Sequence, residues 1–126
     1  MIVDNDVLIW YFRGYEKAKR TLDKIDNFSI SAVVYMELLQ GVKNKDELRN
    51  LKHFMSERRV VSISLDHEIT ARAIYFLERF RLSDGLQMAD ALIAATADLR
   101  GETLLSGNYT HYKMIPGLEV KKFKID

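Results

Sequence analysis

Apolar residues in this chain follow two spacings. Short runs, MIV at 1–3, FSIS at 28–31, RVVSIS at 59–64, TLLS at 103–106 and GLEVKKF at 117–123, have the length and content of strands. Between them the apolar positions recur every three or four residues. The clearest case is 66–82, where Ile69, Ala73, Phe76, Leu77 and Phe80 form one stripe. DVLIWYFRG at 6–14 predicts a helix with Asp6 as N-cap and Gly14 as its stop. YEKAKRTLDKI at 15–25 predicts a polar helix. SAVVYMELLQG at 31–41 predicts one capped by Ser31 and ended by Gly41, and 44–57 carries Leu48, Leu51 and Met55 at helical spacing. MADALIAATADLRG at 88–101 surrounds a helix axis with small and apolar groups. Strands separated by one or two helices predict an α/β fold with a central parallel sheet covered on both faces.

A parallel sheet gathers its chemistry outside the carboxyl ends of its strands, so the residues just past each strand carry the most information. Asp4 and Asp6 come after the first, Glu37 lies one turn into the helix after the second, and GNYTH comes after TLLS. Asp90 enters from the first turn of the helix leading into TLLS, with Ala94 and Ala97 on its face small enough to allow close approach to the sheet. Each acid has an ordinary explanation: a cap for Asp6, the helix dipole for Asp90, an edge position for Glu37. Glu37, however, interrupts the apolar run AVVYMELL. Together the acids are harder to explain, because two carboxylates ~4 Å apart repel by about 4 kcal/mol at an effective dielectric of ~20. No lysine or arginine lies within two residues of Asp4, Glu37 or Asp90. A hard divalent cation is the economical partner. Oxygen-only ligands suit Mg²⁺ or Mn²⁺ rather than Zn²⁺, and His53, His67 and His111 show no paired spacing for zinc.

Composition narrows the remainder. The 126 residues predict one domain, 1–126, without linkers or repeats. With no cysteine, disulfides and thiolate chemistry are excluded, which fits a reducing, cytoplasmic setting. No apolar run approaches membrane-spanning length, and an acid at position 4 argues against a secretory leader. The net charge of +1 means that any nucleic-acid contact comes from a local patch.

Four blocks, IVDNDVLIWYFRG, SAVVYMELLQG, MADALIAATADLRG and LLSGNYTHYKMIPGLEV, resemble in order those of the PIN-domain ribonucleases, and most of all the small VapC-type toxins of toxin–antitoxin pairs. That resemblance implies a three-layer α/β/α domain with a central parallel sheet and an acidic pocket holding Mg²⁺ or Mn²⁺ for RNA cleavage. It places the three family acids, as metal ligands and catalytic residues, on Asp4, Glu37 and Asp90. Asp6 falls on the supporting polar position, and Asn108 on the fourth site position. An amide there binds a second hard cation less well than a carboxylate would, which leaves one against two ions open. Asp84 and Asp98 match no family acid; Asp84 reads as a helix-start residue and Asp98 as solvated.

Arg13, Arg79 and Arg81, with Arg58, Arg59 and Lys113, are candidate RNA contacts. His111 reads as a loop residue, and no side chain stands out as a dedicated base. The implied partners are the RNA substrate, a cognate antitoxin and a second copy of the chain. The exposed part of WYFRGY and the 44–57 helix are candidate surfaces for the protein partners. Two other classes fit less well: a catalytically silent scaffold of the same fold, and a receiver-type phosphoacceptor domain. The latter needs a lysine after a late strand, which LLSGN lacks.

Overall fold

The computed structural model describes residues 1–125. The chain runs β1 (Ile2–Val3), α1 (Asn5–Phe12), α2 (Glu16–Asp23), β2 (Ser29–Ser31), α3 (Ala32–Gln40) and α4 (Lys45–Glu57). It continues through β3 (Val61–Ile63), α5 (His67–Asp84), α6 (Met88–Arg100), β4 (Leu104–Ser106), a 3₁₀ turn over Tyr109–His111, and β5 (Val120–Lys122). Among the described residues the strands form one sheet in the order β3-β2-β1-β4-β5. Every pairing is parallel, with Val3 beside Leu105 and Ser31 beside Ile63. This is the expected α/β/α arrangement, although each strand is shorter than the apolar run that announced it.

The strand order fixes where a site can form. From β1 the chain steps outward through β2 and β3, then jumps to β4 on β1's other side. Right-handed crossovers therefore send α1–α4 and α5–α6 to opposite faces. The order reverses between β1 and β4, leaving a crevice at their carboxyl ends. Beneath it Ile2, Val3, Ile30, Leu104 and Leu105 are buried with Val7, Leu8 and Ile93. Helix α6 packs tightly because Ala91, Ala94, Ala95 and Ala97 are all fully buried, so it approaches without bulky side chains intervening.

Caps mark the helix ends. Ser31 accepts from the Val33 N–H and Gly41 closes α3, as the sequence predicts. Asp66 caps α5 through the Ile69 N–H, while Gly85 and Gly101 end α5 and α6 in the left-handed conformation. Three expectations are corrected. Asp4, not Asp6, is the N-cap of α1, because the helix starts at Asn5 and Asp6 already lies in its first turn. Asp84 ends α5 rather than starting a helix. Asp98 is not simply solvated: it faces Arg72 across the α5–α6 packing in a close ion pair.

Candidate active site

Asp4 leaves β1 at the crevice and is 1% exposed, so its charge has almost no water to solvate it. The surrounding groups compensate in part. Oδ1 accepts the Asn5 N–H at 2.7 Å. Oδ2 accepts the Ser106 hydroxyl at 2.8 Å and the Tyr112 hydroxyl at 2.8 Å. Ser106 Oγ in turn accepts the Asn108 N–H at 2.9 Å, which orients its proton toward Asp4. Burial raises the Asp4 pKa, these hydrogen bonds oppose the rise, and the charge of Asp90 adds to it.

Asp90 projects from the first turn of α6 toward the same crevice. Its Oδ1 lies 3.2 Å from the Tyr112 hydroxyl, and its Oδ2 3.1 Å from His111 Nδ1. The fully buried Tyr112 thus stands between two carboxylates with one proton to donate, and the shorter contact gives that proton to Asp4. Burial between two acids raises the phenol pKa far above its ordinary value. Glu37 reaches in from α3, where its Oε1 accepts from Asn5 Nδ2 at 3.2 Å. Partial burial raises its pKa, helped by the charges of Asp4 and Asp90. Three acids separated by 33 and 53 residues in sequence (37 − 4 and 90 − 37) therefore lie within electrostatic reach of one another.

Asp6 stands beside this trio. Its Oδ1 accepts the Val7 N–H at 2.9 Å and its Oδ2 the Gly107 N–H at 2.8 Å, tying α1 to the loop after β4. Burial and the charge of Asp4 raise its pKa to about 6. A Cβ at Gly107 would collide with Asp6 Oδ2 and press on the Phe123 carbonyl, so a side chain there would displace the Asp6 carboxylate from its present position. Among the described residues, no lysine or arginine forms an ion pair with Asp4, Asp6, Glu37 or Asp90.

Asn108 enters the network through its backbone N–H, and its residue lines a depression with Asp6, Trp10, Phe123 and Lys124. The expected RNA contacts divide. Arg13 is exposed over the Trp10 ring and borders a groove that reaches Glu37. Arg81 donates to the Gly85 and Leu86 carbonyls at the end of its own helix, and Arg79 lies over Phe80. Arg58 is committed to structure, donating to the Leu22 carbonyl and resting on Phe28 and Phe54.

Sequence reasoning missed Tyr112, Ser106 and Asn5, and it set aside His111. Ser106 and Tyr112 lie 102 and 108 residues from the acid they serve, and only the fold joins them. Among the described residues no three acidic or histidine side chains converge as a finished metal cage. The donor set is nevertheless all oxygen and anionic. Mg²⁺ keeps several waters and needs only one or two direct carboxylates, so these residues fit a hydrated hard cation better than a dehydrated one.

A parallel α/β/α sheet with crowded carboxylates at its switch point defines a class of domain: the chain belongs to the PIN-domain family, whose model matches residues 1–114. Its relatives include Ribonuclease VapC19 of Mycobacterium tuberculosis, 32% identical over 123 residues, covering 94% of this chain and 96% of the relative. Ribonuclease VapC1 of Rickettsia felis is 32% identical over 128 residues, covering 95% and 93%. Among solved structures, a toxin–antitoxin complex from Klebsiella pneumoniae matches with a TM-score of 0.80 and 27% identity over 96% of this chain and 95% of that one. VapBC2 from Rickettsia felis, bound to a promoter DNA fragment, superimposes with a TM-score of 0.83 at 20% identity, covering 98% of each chain.

Proposed function

We propose that this protein is a Mg²⁺- or Mn²⁺-dependent endoribonuclease, the toxin of a VapBC-type toxin–antitoxin pair. The observation that carries the proposal is the convergence of Asp4, Glu37 and Asp90 at the β1–β4 crevice, where no described lysine or arginine pairs with them and His111 alone contacts Asp90 as a basic group. Holding those charges together costs free energy that a divalent cation would return. Their relatives' designation as ribonucleases supplies the reaction class.

Asp4, Glu37 and Asp90 would hold the ion, directly or through water. When bound, such an ion acidifies a water and offsets charge on the scissile phosphate. The chain's own groups prepare the site. Ser106 and Tyr112 aim Asp4 Oδ2, and Asn5 tethers Glu37 Oε1. Asp6, pinned by the Gly107 N–H, and Asn108 border the depression where the phosphate and its water enter. His111 occupies one oxygen of Asp90 and steadies its orientation.

The groove lined by Ile9, Phe12, Leu38, Val42 and Leu51 leads to Glu37, and supports an antitoxin segment as partner. The toxin–antitoxin complexes among the structural neighbours support the same. Exposed Ile74, Tyr75 and Leu82 on α5 supply apolar surface for a second copy of the chain. No described helix is long and apolar enough to cross a membrane; a cytoplasmic site of action agrees with the absence of cysteine.

Cleavage mapping on total RNA tests the proposal. Wild type cuts with Mg²⁺ and stops with EDTA, whereas Asp90→Asn folds and does not cut. Metal-dependent cleavage retained by Asp90→Asn would remove that residue from the site, and cleavage undiminished in EDTA would end the metal reading.

A further inference from the structure

A nuclease site built from carboxylates repels the polyanion it cuts, so something outside the crevice must draw RNA in. Of the arginines first suspected, Arg58 and Arg81 donate to backbone carbonyls, and Arg13 is the one described arginine lining the groove beside Glu37. A different surface concentrates positive charge. Between α2 and the edge strand β5 runs a groove of about 610 Å³, lined by Lys17, Lys24, Lys121, Lys122 and Lys124, with Asp26 as the one described carboxylate. For a chain of net charge +1 this is a strong local excess.

The groove also leads somewhere. Phe123 and Lys124 line it and also line the depression that holds Asp6, Trp10 and Asn108. β5 runs parallel to β4, so its lysines climb toward the same carboxyl-end rim as Ser106 and Asn108. Lys17 lies over the Phe123 ring at 6.0 Å, and Lys122 over the Tyr109 ring at 4.1 Å, beside the turn that carries His111. Lysine on an edge strand has a simpler use, blocking edge-to-edge pairing. That accounts for Lys121 and Lys122 but not for Lys24, which faces them from the C-terminal cap of α2.

We propose that this α2–β5 lysine groove is the path of the RNA backbone, taking phosphates by charge alone and delivering the strand past Lys124 to Asp6 and Asn108. The path rests on the nuclease function proposed for the crevice. Charge-only contacts position a strand without reading it, so base preference arises elsewhere.

The test uses the double variant Lys24→Gln/Lys121→Gln, whose exposed side chains lie outside the acid site. Lys45→Gln/Lys52→Gln on α4 makes the same charge change away from the groove. Binding of a fluorescein-labelled single-stranded RNA is followed by anisotropy in EDTA across a salt series. For single strands each lost phosphate contact lowers the log–log salt slope by about 0.7, so the groove variant's slope falls by about 1.4. Its affinity at low salt drops about tenfold or more, while the α4 control stays close to wild type. With Mg²⁺, the groove variant hydrolyses bis(p-nitrophenyl) phosphate at the wild-type rate, because that ester is too small to span the groove.

Equal losses in both double variants, or an unchanged slope in the groove variant, would overturn the path. Unchanged RNA affinity with lost poly-glutamate binding would overturn it in favour of an acidic polypeptide. If wild type bound RNA through the groove yet hydrolysed neither RNA nor the ester, the path would stand and the nuclease assignment would fall.

Discussion

The two ends of helix α6 treat carboxylates in opposite ways. At its start, Asp90 joins Asp4 and Glu37 in a crevice where no described lysine or arginine pairs with them, and burial pushes the Asp4 and Glu37 pKa values up. At and just beyond its end, Asp98 meets Arg72, and Glu102 meets both Arg100 and the Met1 ammonium, which hold its carboxyl below the usual range. The far end places its charges where they aid folding. The near end holds charges at a cost, which folding alone gives no reason to retain.

Substitution should separate the two ends most strongly. Asp4→Asn keeps the Asn5, Ser106 and Tyr112 neighbourhood nearly isosteric but removes the anion. A lost charge contact to a bound ion is worth several kcal/mol, so RNA cleavage should fall by about a thousandfold. Asp98→Asn should leave cleavage within about twofold, the size expected when a partly exposed pair far from the chemistry is lost. Single-turnover rates on one defined RNA measure both. Comparable losses in the two variants would mean that the crevice acids are structural.

Stability against pH should also distinguish them. Asp4, Asp6 and Glu37 have folded pKa values raised above their unfolded ones, so the native state holds more protons in the interval between. Stability therefore falls as pH climbs from about 4 through the Asp6 value of about 6, and is flat for that group above it. Metal-free protein should accordingly melt higher at pH 5 than at pH 7. Asp6→Asn should flatten part of that slope, and Mg²⁺ added at pH 7 should recover part of the loss. Thermal melts in EDTA and in Mg²⁺ check this; a metal-free protein that melts higher at pH 7 would contradict the crowding.

Tyr112→Phe sharpens the comparison from inside. Its hydroxyl is one of two side-chain donors to Asp4 Oδ2, and losing it leaves Ser106 alone on that oxygen. A buried acceptor deprived of one donor costs about 1–3 kcal/mol. Tm should drop accordingly, and Mn²⁺ affinity, read by electron paramagnetic resonance, should weaken about 10-fold, as for other groups that orient a ligand. An unchanged Mn²⁺ affinity would make Tyr112 a packing residue only.

The contrast between what could and could not be read from the chain tracks sequence distance. The helix of Asp90, with Ala94 and Ala97 buried against the sheet, was legible because its pattern is local. The trio itself was legible through family resemblance and through the lack of basic residues beside each acid in the sequence. The misplaced α1 cap turned on two aspartates two residues apart, either of which can serve; the chain enters the helix at Asn5, and that decided it. Nothing near Tyr112 in sequence hints at an acid 108 positions away. The α2–β5 lysines were equally hidden, since Lys24 and Lys121 come to one groove only when β5 joins the sheet edge.

The smallest expected effect lies at the compensated end. Glu102 accepts the Met1 ammonium at 2.7 Å and Arg100 Nε at 2.7 Å, with its side chain about a quarter exposed. Water screens such a pair, so Glu102→Gln should cost only about 0.2–1 kcal/mol at neutral pH and less in high salt. Its pH dependence should run opposite to that of the crevice. A carboxyl whose folded pKa is lowered contributes stability above its unfolded value of 4.5, and that contribution disappears as pH falls through the folded value. Wild type and Glu102→Gln should therefore differ at pH 7 and converge at about pH 3, whereas the Asp6→Asn difference should grow from pH 4 to pH 7. Denaturant melts of both variants over that range place the two ends of α6 on one scale. Parallel curves would mean that the charges at both ends are tuned alike.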